Sequence, residues 1–171
     1  MAPPLDAGRF SGLLYRALNP VYARKPLSGR GAALFGGRFN RKGRETLYTA
    51  LRPETALREA NQVGTLQPTT LVAYRADLGP IVDGRDDTVL APYGMDGTAL
   101  AAPDWRDRMI SGLNVPTHDL TERLVADGFV GLFVPSYAKG SDATDLNLVL
   151  WRWNSGADDR LLVVDDEDRL R

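Results

Sequence analysis

Residues 26–59 read PLSGRGAALFGGRFNRKGRETLYTALRPETALRE and combine two glycine-rich turns with several arginines, a tyrosine and a glutamate. In the second turn, Arg38 directly follows the pair Gly36-Gly37. Glycine lets the backbone approach a ligand closely, and a guanidinium can bind a phosphate or a carboxylate through two parallel hydrogen bonds. The stretch therefore predicts a pocket for a phosphate-bearing nucleotide, with Arg38 and the backbone of Gly37 as binding groups.

The first turn, Ser28-Gly29-Arg30-Gly31, resembles the beginning of a dinucleotide-binding fingerprint. Leu34 occupies the place of the third glycine, and no helix is expected to begin there, so the sequence does not predict a Rossmann fold. Arg30 remains a candidate substrate-binding residue. Ordinary turn glycines are the alternative interpretation of this motif.

The helix expected after Pro53, with the sequence PETALREANQV, contains the candidate catalytic carboxylate, Glu59. Proline is favoured at a first helical position because its missing N–H would be unpaired there anyway. At about 100° per residue, Glu59 falls at the edge of the apolar side of this helix. The apolar side consists of Ala56, Ala60 and Val63. Glu54 and Arg58 point outward and are expected to form an i,i+4 ion pair.

A carboxylate at the edge of a buried face requires a partner. For Glu59 the candidates are Arg16, Arg38 or a hydroxyl of a ligand, and a purely structural salt bridge is the alternative. Tyr48 lies in a short strand predicted over residues 45–51 (ETLYTAL). Its ring either belongs to the core or stacks on a planar ligand, in which case its hydroxyl would orient a polar atom.

The composition is that of an ordinary globular protein, with 171 residues of which 43% are hydrophobic. We expect one domain over 1–171, with its core over about 10–153 and an edge strand and an acidic tail in 154–171. The absence of cysteine excludes disulfides, thiolate metal ligands and a cysteine nucleophile. No metal site is predicted, and the lack of a signal segment or a long apolar run predicts a cytoplasmic protein.

Charge is segregated along the chain. Residues 1–44 carry a net charge of +8 and the remainder carries −9. This asymmetry indicates that the first quarter of the chain faces either an anionic ligand or the acidic remainder of its own fold.

Five further segments are predicted to form strands from their apolar, β-branched and aromatic content: residues 10–18, 69–78 with an extension over 81–84, 129–134, 146–153 and 161–164. The run FVGLFV is nearly continuous in apolar residues, as in a strand buried on both faces. Pro135 must end this strand, so Ser136 is expected at its rim. Asn147 lies near the start of the following strand.

The remaining segments are interpreted as loops and two helices. Residues 89–102 and 137–145 are expected to form loops, and residues 103–113 a short helix with Trp105 and Met109 facing inward. Thr117 is the expected N-cap of a helix that ends at Gly128. His118, the only histidine, falls in its first turn and is interpreted as structural, which disfavours a histidine base.

The motifs GGRFN, LYTAL, ALRE, FVGLFVPS and LNLVLW occur in an order and spacing that resemble the RES domain, a family named for its Arg, Glu and Ser. The resemblance extends from Tyr15-Arg16 to Trp151. Family members of the ParT and MbcT type are toxins of bacterial type II toxin–antitoxin modules. The one departure is Arg52, which stands where a small polar cap more often precedes the helix and which concerns helix stability rather than chemistry.

The resemblance assigns roles by motif. It implies four catalytic residues, Arg38, Tyr48, Glu59 and Ser136. Arg16 is similar to another pocket arginine of the family, and Asn147 matches its NLVL position. The implied fold is α+β, a single compact domain with a central mixed or antiparallel sheet and flanking helices, similar to the ADP-ribosyltransferase fold of diphtheria-type toxins.

The implied substrate is NAD, without a metal. The implied partner is a cognate antitoxin with a DNA-binding domain that occludes the active site, and no direct contact with nucleic acid or membrane is expected. The acceptor of ADP-ribose stays open: water, phosphate, or a host-cell protein such as a nucleotide-synthesis enzyme.

The residues fit cleavage of the nicotinamide–ribose bond. Breaking that bond generates positive charge on the ribose, which a carboxylate such as Glu59 can stabilise. Arg38 and Arg16 would bind the diphosphate, Tyr48 would pack on nicotinamide, and Ser136 would hydrogen-bond the ribose or the amide.

Two alternatives come from other classes of protein. A ribonuclease-type toxin would hold RNA with the basic first quarter, use Glu59 as its base and lose affinity steeply with salt. A non-catalytic nucleotide-binding module would use Arg38 and Glu59 as a structural pair.

Overall fold

The computed structural model describes residues 5–62 and 65–170. Within them, seven strands form one sheet in the order β4-β5-β6-β2-β1-β3-β7. The strands are β1 Phe10–Leu18, β2 Leu47–Ala50, β3 Thr70–Leu78, β4 Ile81–Asp83, β5 Gly131–Pro135, β6 Leu146–Leu150 and β7 Asp159–Val163. All neighbours pair antiparallel except β4 and β5, which are parallel. This mixed sheet with flanking helices confirms the predicted α+β class.

The strands form where the sequence pattern favours them. In β3, every second residue from Val72 to Leu78 is buried, as expected for a strand with one face on the core. In β5, residues 131–134 are all buried, which confirms that this strand is covered on both faces. The observed β6 ends at Leu150, three residues before the predicted end.

Two hydrophobic clusters cover the two faces of the sheet. One is centred on the fully buried Leu14, Tyr74 and Leu148. The other contains Leu120 and Leu124 and packs α6 against the opposite face. Close packing on both faces holds each central strand at a defined position and orientation.

The register of the four central strands aligns a row of residues across the sheet. Ala50 of β2 pairs with Tyr15 of β1 on one side and with Asn147 of β6 on the other. Asn147 in turn pairs with Val134 of β5. This row lies under the cavity described below.

In the described part of the chain, six helices flank the sheet: α1 Arg30–Phe35, α2 Pro53–Ala60, α3 Asp87–Leu90, α4 Gly97–Ala101, α5 Trp105–Ile110 and α6 Pro116–Ala126. Short 3-10 turns occur at Pro20–Tyr22 and Ala91–Tyr93. The predicted starts of α2 at Pro53 and of the strands β1 and β3 agree with the structure to within one residue.

Helix α1 corrects the expectation that no helix begins after Gly29. Its sequence, RGAALF, contains two alanines and a leucine, which favour a helix. The helix ends at Gly36, whose φ of +73° is accessible to glycine without strain. The Rossmann fold is still absent, because most of the sheet is antiparallel.

The loop predicted over residues 89–102 is also wrong in part, since α3 and α4 occupy much of this region. Both helices begin with an aspartate cap: Asp86 accepts from the amide of Thr88, and Asp96 accepts from that of Ala99. Aspartate is a strong N-cap residue, so these two side chains are the signals in the sequence that mark the starts of α3 and α4.

Two local predictions near the helices are wrong. Thr117 is not the N-cap of α6, because Pro116 already occupies the first helical position and Val115 precedes it as the cap. Arg58 does not pair with Glu54 but with Asp145, over 2.7 Å. A buried carboxylate attracts the guanidinium more strongly than an exposed one does. Val63 lies outside the described residues, so its predicted place on α2 stays a prediction.

None of the helices within residues 5–62 and 65–170 has the length and apolar character needed to cross a membrane.

Candidate active site

A cavity of about 650 Å³ opens above the central row of strand residues, within the range typical of small-molecule sites. Its walls come from β1, β2, β6, α2, α5 and the loop after α1. Six of the eight predicted site residues line it: Arg16, Gly37, Arg38, Tyr48, Glu59 and Asn147. The fold thus brings together groups that lie up to 131 positions apart in the chain.

The side chain of Arg38 lines this cavity, and hydrogen bonds from Nη1 hold one edge of its guanidinium group. Nη1 donates to the carbonyl of Ala102 over 2.7 Å and to that of Leu100 over 3.2 Å. The guanidinium carbon lies 4.6 Å from the ring centre of Tyr137 and 5.8 Å from that of Trp105. Among the described residues, no acceptor binds Nε or Nη2, so these donors remain available to a ligand.

Burial lowers the pKa of Arg38, mainly through desolvation, and the nearby Tyr137 and Glu59 oppose this effect. An arginine stays charged in spite of such a shift, because its ordinary pKa is above 12. Burial also raises the pKa of Tyr137 to about 12, so this phenol is neutral at physiological pH. The cavity therefore holds a partly desolvated cation against a neutral aromatic face.

Gly37 is required by the packing of Tyr48 and Asn40. A Cβ at Gly37 would lie 2.3 Å from the Tyr48 hydroxyl oxygen and 2.7 Å from Oδ1 of Asn40. The Tyr48 hydroxyl donates to that Oδ1 over 2.6 Å and accepts from the amide of Phe39 over 3.1 Å. Burial of this hydroxyl raises its pKa, while Tyr48 as a whole residue is 37% exposed and lines the cavity.

The hydroxyl of Tyr48 already has a donor and an acceptor within the protein. Its one proton is given to Asn40, so a polar atom of a ligand could approach this oxygen only as a donor. The exposed ring remains able to stack on a planar group.

Helix α6 and Trp151 hold the loop that carries Arg38. Thr117 donates to the carbonyl of Arg38 over 2.5 Å, and Thr121 donates to that of Phe39 over 2.8 Å. The indole N–H of Trp151 also donates to the Phe39 carbonyl, over 3.0 Å. His118 lies 2.7 Å through Nε2 from the carbonyl of Gly37. Three consecutive carbonyls of the loop are thus fixed by side chains, which the sequence did not reveal.

His118 is buried, with 2% of its surface exposed, and desolvation lowers its pKa. Because a carbonyl oxygen can only accept, Nε2 carries the hydrogen in this contact. The only histidine of the chain is therefore a structural donor, in agreement with its interpretation from the sequence.

Glu59 is held by neutral donors. Its Oε1 accepts from the hydroxyl of Ser136 and from Nδ2 of Asn147, each over 2.5 Å. Its Oε2 accepts from Nε2 of Gln62, also over 2.5 Å. Of the three partners predicted for Glu59, neither Arg16 nor Arg38 forms an ion pair with it among the described contacts, although its charge affects the pKa of Arg38. A hydroxyl of a ligand stays a prediction.

Ser136 thus lies behind Glu59 instead of on the cavity wall. It is 8% exposed, and in addition to Glu59 it contacts Ser141, whose hydroxyl donates to it over 2.9 Å. Asn147 does line the cavity, and its Oδ1 is buried without a hydrogen-bond partner among the described residues. An unpaired buried acceptor is costly unless a ligand satisfies it.

Asp145 lies in the predicted loop 137–145 and connects that loop to α2. Its carboxylate accepts from the hydroxyl of Thr55 over 2.5 Å and pairs with Arg58 over 2.7 Å. Its carbonyl accepts from the amide of Ser136 over 2.8 Å. The hydrogen bond from Thr55, followed by that from the amide of Asp142 and the pairing with Arg58, lowers the pKa of the Asp145 carboxyl to about 2. Asp145 therefore fixes both elements that position Glu59 and Ser136.

The two remaining predicted residues behave differently. Arg16 lines the cavity and donates through Nη1 to the carbonyl of Pro26 over 2.8 Å. Arg30 is exposed at the start of α1 and does not line the cavity. A substrate-binding role for Arg30 therefore receives no support from the cavity.

Helix α5 contributes residues that sequence reasoning did not assign to the site. Trp105, Arg106 and Asp107 all line the cavity. Trp105 was predicted to face the core, and it is only partly buried. An aromatic residue followed by arginine in a short amphipathic helix was the available signal for these contacts. In the part of the chain that the structure describes, no group of acidic or histidine side chains could hold a metal ion.

The fold and cavity define an α+β protein with a polar arrangement of arginine, glutamate, asparagine and serine at the centre of its sheet. The RES domain family model matches residues 13–171. The chain belongs to the RES domain family, which confirms the resemblance seen in the sequence.

A search of solved structures gives a match to a chain in the crystal structure of the M. tuberculosis MbcT–MbcA toxin–antitoxin complex. The two chains are 19% identical and superpose with a TM-score of 0.63 over 92% of this chain and 83% of the other. At this identity the match shows a shared fold. No curated protein sequence matches the chain.

Proposed function

We propose that this protein is a toxin that cleaves the nicotinamide–ribose bond of NAD and transfers ADP-ribose to a protein, phosphate or water. The observation that carries this proposal is the environment of Glu59, a carboxylate on the cavity wall whose bound donors are all neutral. Because none of these donors carries a positive charge, the carboxylate can stabilise a cation that forms in the substrate.

The reaction requires such a carboxylate. The bond between ribose C1′ and the nicotinamide nitrogen breaks, and its electron pair leaves with neutral nicotinamide. Positive charge develops over C1′ and the ring oxygen, where Glu59 stabilises it directly or through a ribose hydroxyl. The acceptor then forms a bond to C1′ and loses its proton to solvent. Because the leaving group is neutral, no acid is needed to protonate it.

Ser136 and Asn147 position Glu59 for this role. Both bind the same oxygen, Oε1, so they fix the rotation of the carboxylate about its last bond. Asn147 also lines the cavity, so it connects Glu59 to the surface that a substrate would contact. This assigns Ser136 a positioning role instead of direct contact with the substrate.

The arginines supply the binding of the diphosphate. Arg38 retains Nε and Nη2 for a phosphate because its Nη1 is engaged by backbone carbonyls. Arg16 lies on the same cavity and also carries a guanidinium held at one end. The exposed ring of Tyr48 provides a plane for nicotinamide.

A cognate antitoxin with a DNA-binding domain is the proposed partner, and it would occlude the cavity. The similar fold in a toxin–antitoxin complex supports this partner, and membership of the RES family supports NAD as the substrate. The proposed place of action is the cytoplasm, where NAD is present.

A time course of nicotinamide release from NAD tests this function, without additions, with phosphate and with cell extract. Glu59→Gln should abolish release while still binding NAD, because it keeps the shape of the side chain and removes its charge. Glu54→Gln is the matched control: it lies on the same helix, is exposed and does not line the cavity.

The products identify the acceptor: ADP-ribose indicates water, phosphorylated ADP-ribose indicates phosphate, and a labelled protein band indicates a protein. NAD binding with no release of nicotinamide under any condition would show a binding module instead of an enzyme. If the protein neither binds NAD nor releases nicotinamide from it, the proposal is refuted.

A further inference from the structure

Helix α5 places two cavity-lining side chains that the proposed chemistry at Glu59 does not use. Trp105 is partly buried and Arg106 is exposed. The guanidinium carbon of Arg106 lies 5.0 Å from the centre of the indole ring. Among the described residues, no carboxylate forms an ion pair with Arg106. This part of the wall therefore combines a planar apolar surface with an uncompensated cation.

Arg38 lies beside this pair. Its guanidinium carbon is 5.8 Å from the ring centre of Trp105, and Arg38, Trp105 and Arg106 all line the cavity. With the diphosphate at Arg38, the next part of the wall is the one that Trp105 and Arg106 form. In NAD, the adenosine is joined to the diphosphate at the end opposite the nicotinamide riboside.

The wall formed by α5 is anchored to the rest of the site. A Cβ at Gly36 would lie 2.5 Å from the sulfur of Met109, which shows how closely α5 packs on the loop that carries Arg38. The carbonyls of Leu100 and Ala102, just before α5, accept from Arg38 itself. Trp105 therefore occupies a fixed position relative to the proposed diphosphate site.

We propose that Trp105 and Arg106 form the subsite for the adenosine 5′-phosphate half of the substrate. Adenine would stack on the indole, and the exposed Arg106 would bind the adenosine-side phosphate. Asp107 lines the same end and supplies an acceptor for a hydroxyl of the adenosine ribose. This inference rests on the proposed use of NAD, and it adds that the protein selects a dinucleotide.

The subsite predicts a difference between NAD and nicotinamide mononucleotide, which has the same scissile bond but no adenosine. Trp105→Leu and Arg106→Gln should each lower kcat/KM for NAD roughly tenfold, as expected for the loss of one stacking or phosphate contact. Neither change should alter kcat/KM for the mononucleotide. Arg24→Gln is the control, because Arg24 is exposed and does not line the cavity.

Calorimetric binding of ADP to the full chain provides a second readout that does not depend on catalysis. The wild type and Arg24→Gln should bind ADP, and the two α5 variants should bind it roughly tenfold more weakly. Arg106→Gln changes an exposed side chain, so its folding is preserved even if Trp105→Leu perturbs the helix.

The two readouts separate the subsite from the proposed function. Weaker binding of ADP by the variants supports the subsite, even if no nicotinamide is released from either substrate. The absence of nicotinamide release would refute NAD cleavage but not the subsite. Equal losses for NAD and the mononucleotide, unchanged ADP binding in the variants, or no ADP binding by the wild type would each overturn the subsite.

Discussion

The hydroxyl of Ser136 donates to Oε1 of Glu59 over 2.5 Å, although 77 positions separate the two residues in the chain. Ser136 follows the buried strand β5, and Glu59 lies at the end of α2, so the contact joins the sheet to the helix that covers it. The serine is 8% exposed, and the carboxylate lies between it and the cavity.

Ser136→Ala should therefore lower kcat more than it changes NAD affinity. The variant removes one hydrogen bond to a charged group, a loss of about 1–2 kcal/mol, or roughly tenfold in kcat. Steady-state kinetics and direct NAD binding measure the two effects separately. Ser111→Ala, at an exposed serine, should behave as the wild type does. A change confined to binding would instead indicate direct contact of Ser136 with the substrate.

Gly37→Ala should destabilise the protein and abolish activity, because the added methyl group would overlap the hydroxyl of Tyr48. The Tyr48–Asn40 hydrogen bond must then break or the Arg38 loop must move, at a cost of about 1–3 kcal/mol. Gly31→Ala is the control, since a Cβ there has no neighbour within 4 Å, and alanine in a helix should be neutral or stabilising by up to about 1 kcal/mol. Urea unfolding compares the two variants, and similar stabilities would contradict the packing role of Gly37.

Thr121→Val should raise the KM for NAD. The substitution keeps the side-chain shape but removes the buried donor to the Phe39 carbonyl, which costs about 1–3 kcal/mol of stability. Loosening this loop weakens the placement of Arg38 and hence the binding of the diphosphate. Thr98→Val, at an exposed helical threonine, is the matched control. Unchanged KM in a destabilised Thr121→Val variant would restrict the role of Thr121 to folding.

His118 should make stability depend on pH. Burial lowers its pKa in the folded protein, so the unfolded chain takes up the proton first as the pH falls. The free energy of unfolding should therefore decrease as the pH falls below about 6.5, the ordinary pKa of histidine. His118→Gln can keep a donor to the Gly37 carbonyl and should weaken this dependence between about pH 7.5 and 5.5. An equal slope in both proteins would contradict the prediction.

Asp145→Asn should be among the most destabilising conservative substitutions in this protein. The substitution removes the negative charge that pairs with Arg58 and accepts from Thr55. The free energy of unfolding should fall by about 3–5 kcal/mol if Arg58 is left without a partner. The folded pKa of Asp145 is about 2, so this stabilisation is present above pH ~4 and is lost as the pH falls from there toward 2. Denaturation at several pH values checks both effects, with the exposed Asp158→Asn as the control.

Much of the site could be predicted from the sequence because its residues follow strong local signals. Arg38 follows a glycine pair, Glu59 lies at the edge of an amphipathic helix, and Ser136 follows a proline that ends an apolar strand. The strands were found for the same reason, since apolar runs and alternation determine which segments can be buried in a sheet. The short helices α1, α3 and α4 were missed, because few residues determine them and their caps are single side chains.

The partners of these residues were decided only by the tertiary structure. The sequence specified an acid on α2 that needed a partner, but the antiparallel pairing of β5 with β6 placed Ser136 and Asn147 beside Glu59 instead of an arginine. Likewise, no pattern in α6 indicated that Thr117, His118 and Thr121 would hold the Arg38 loop from 79 to 82 positions away. Side-chain contacts across such separations depend on register and helix packing, which local periodicity does not encode.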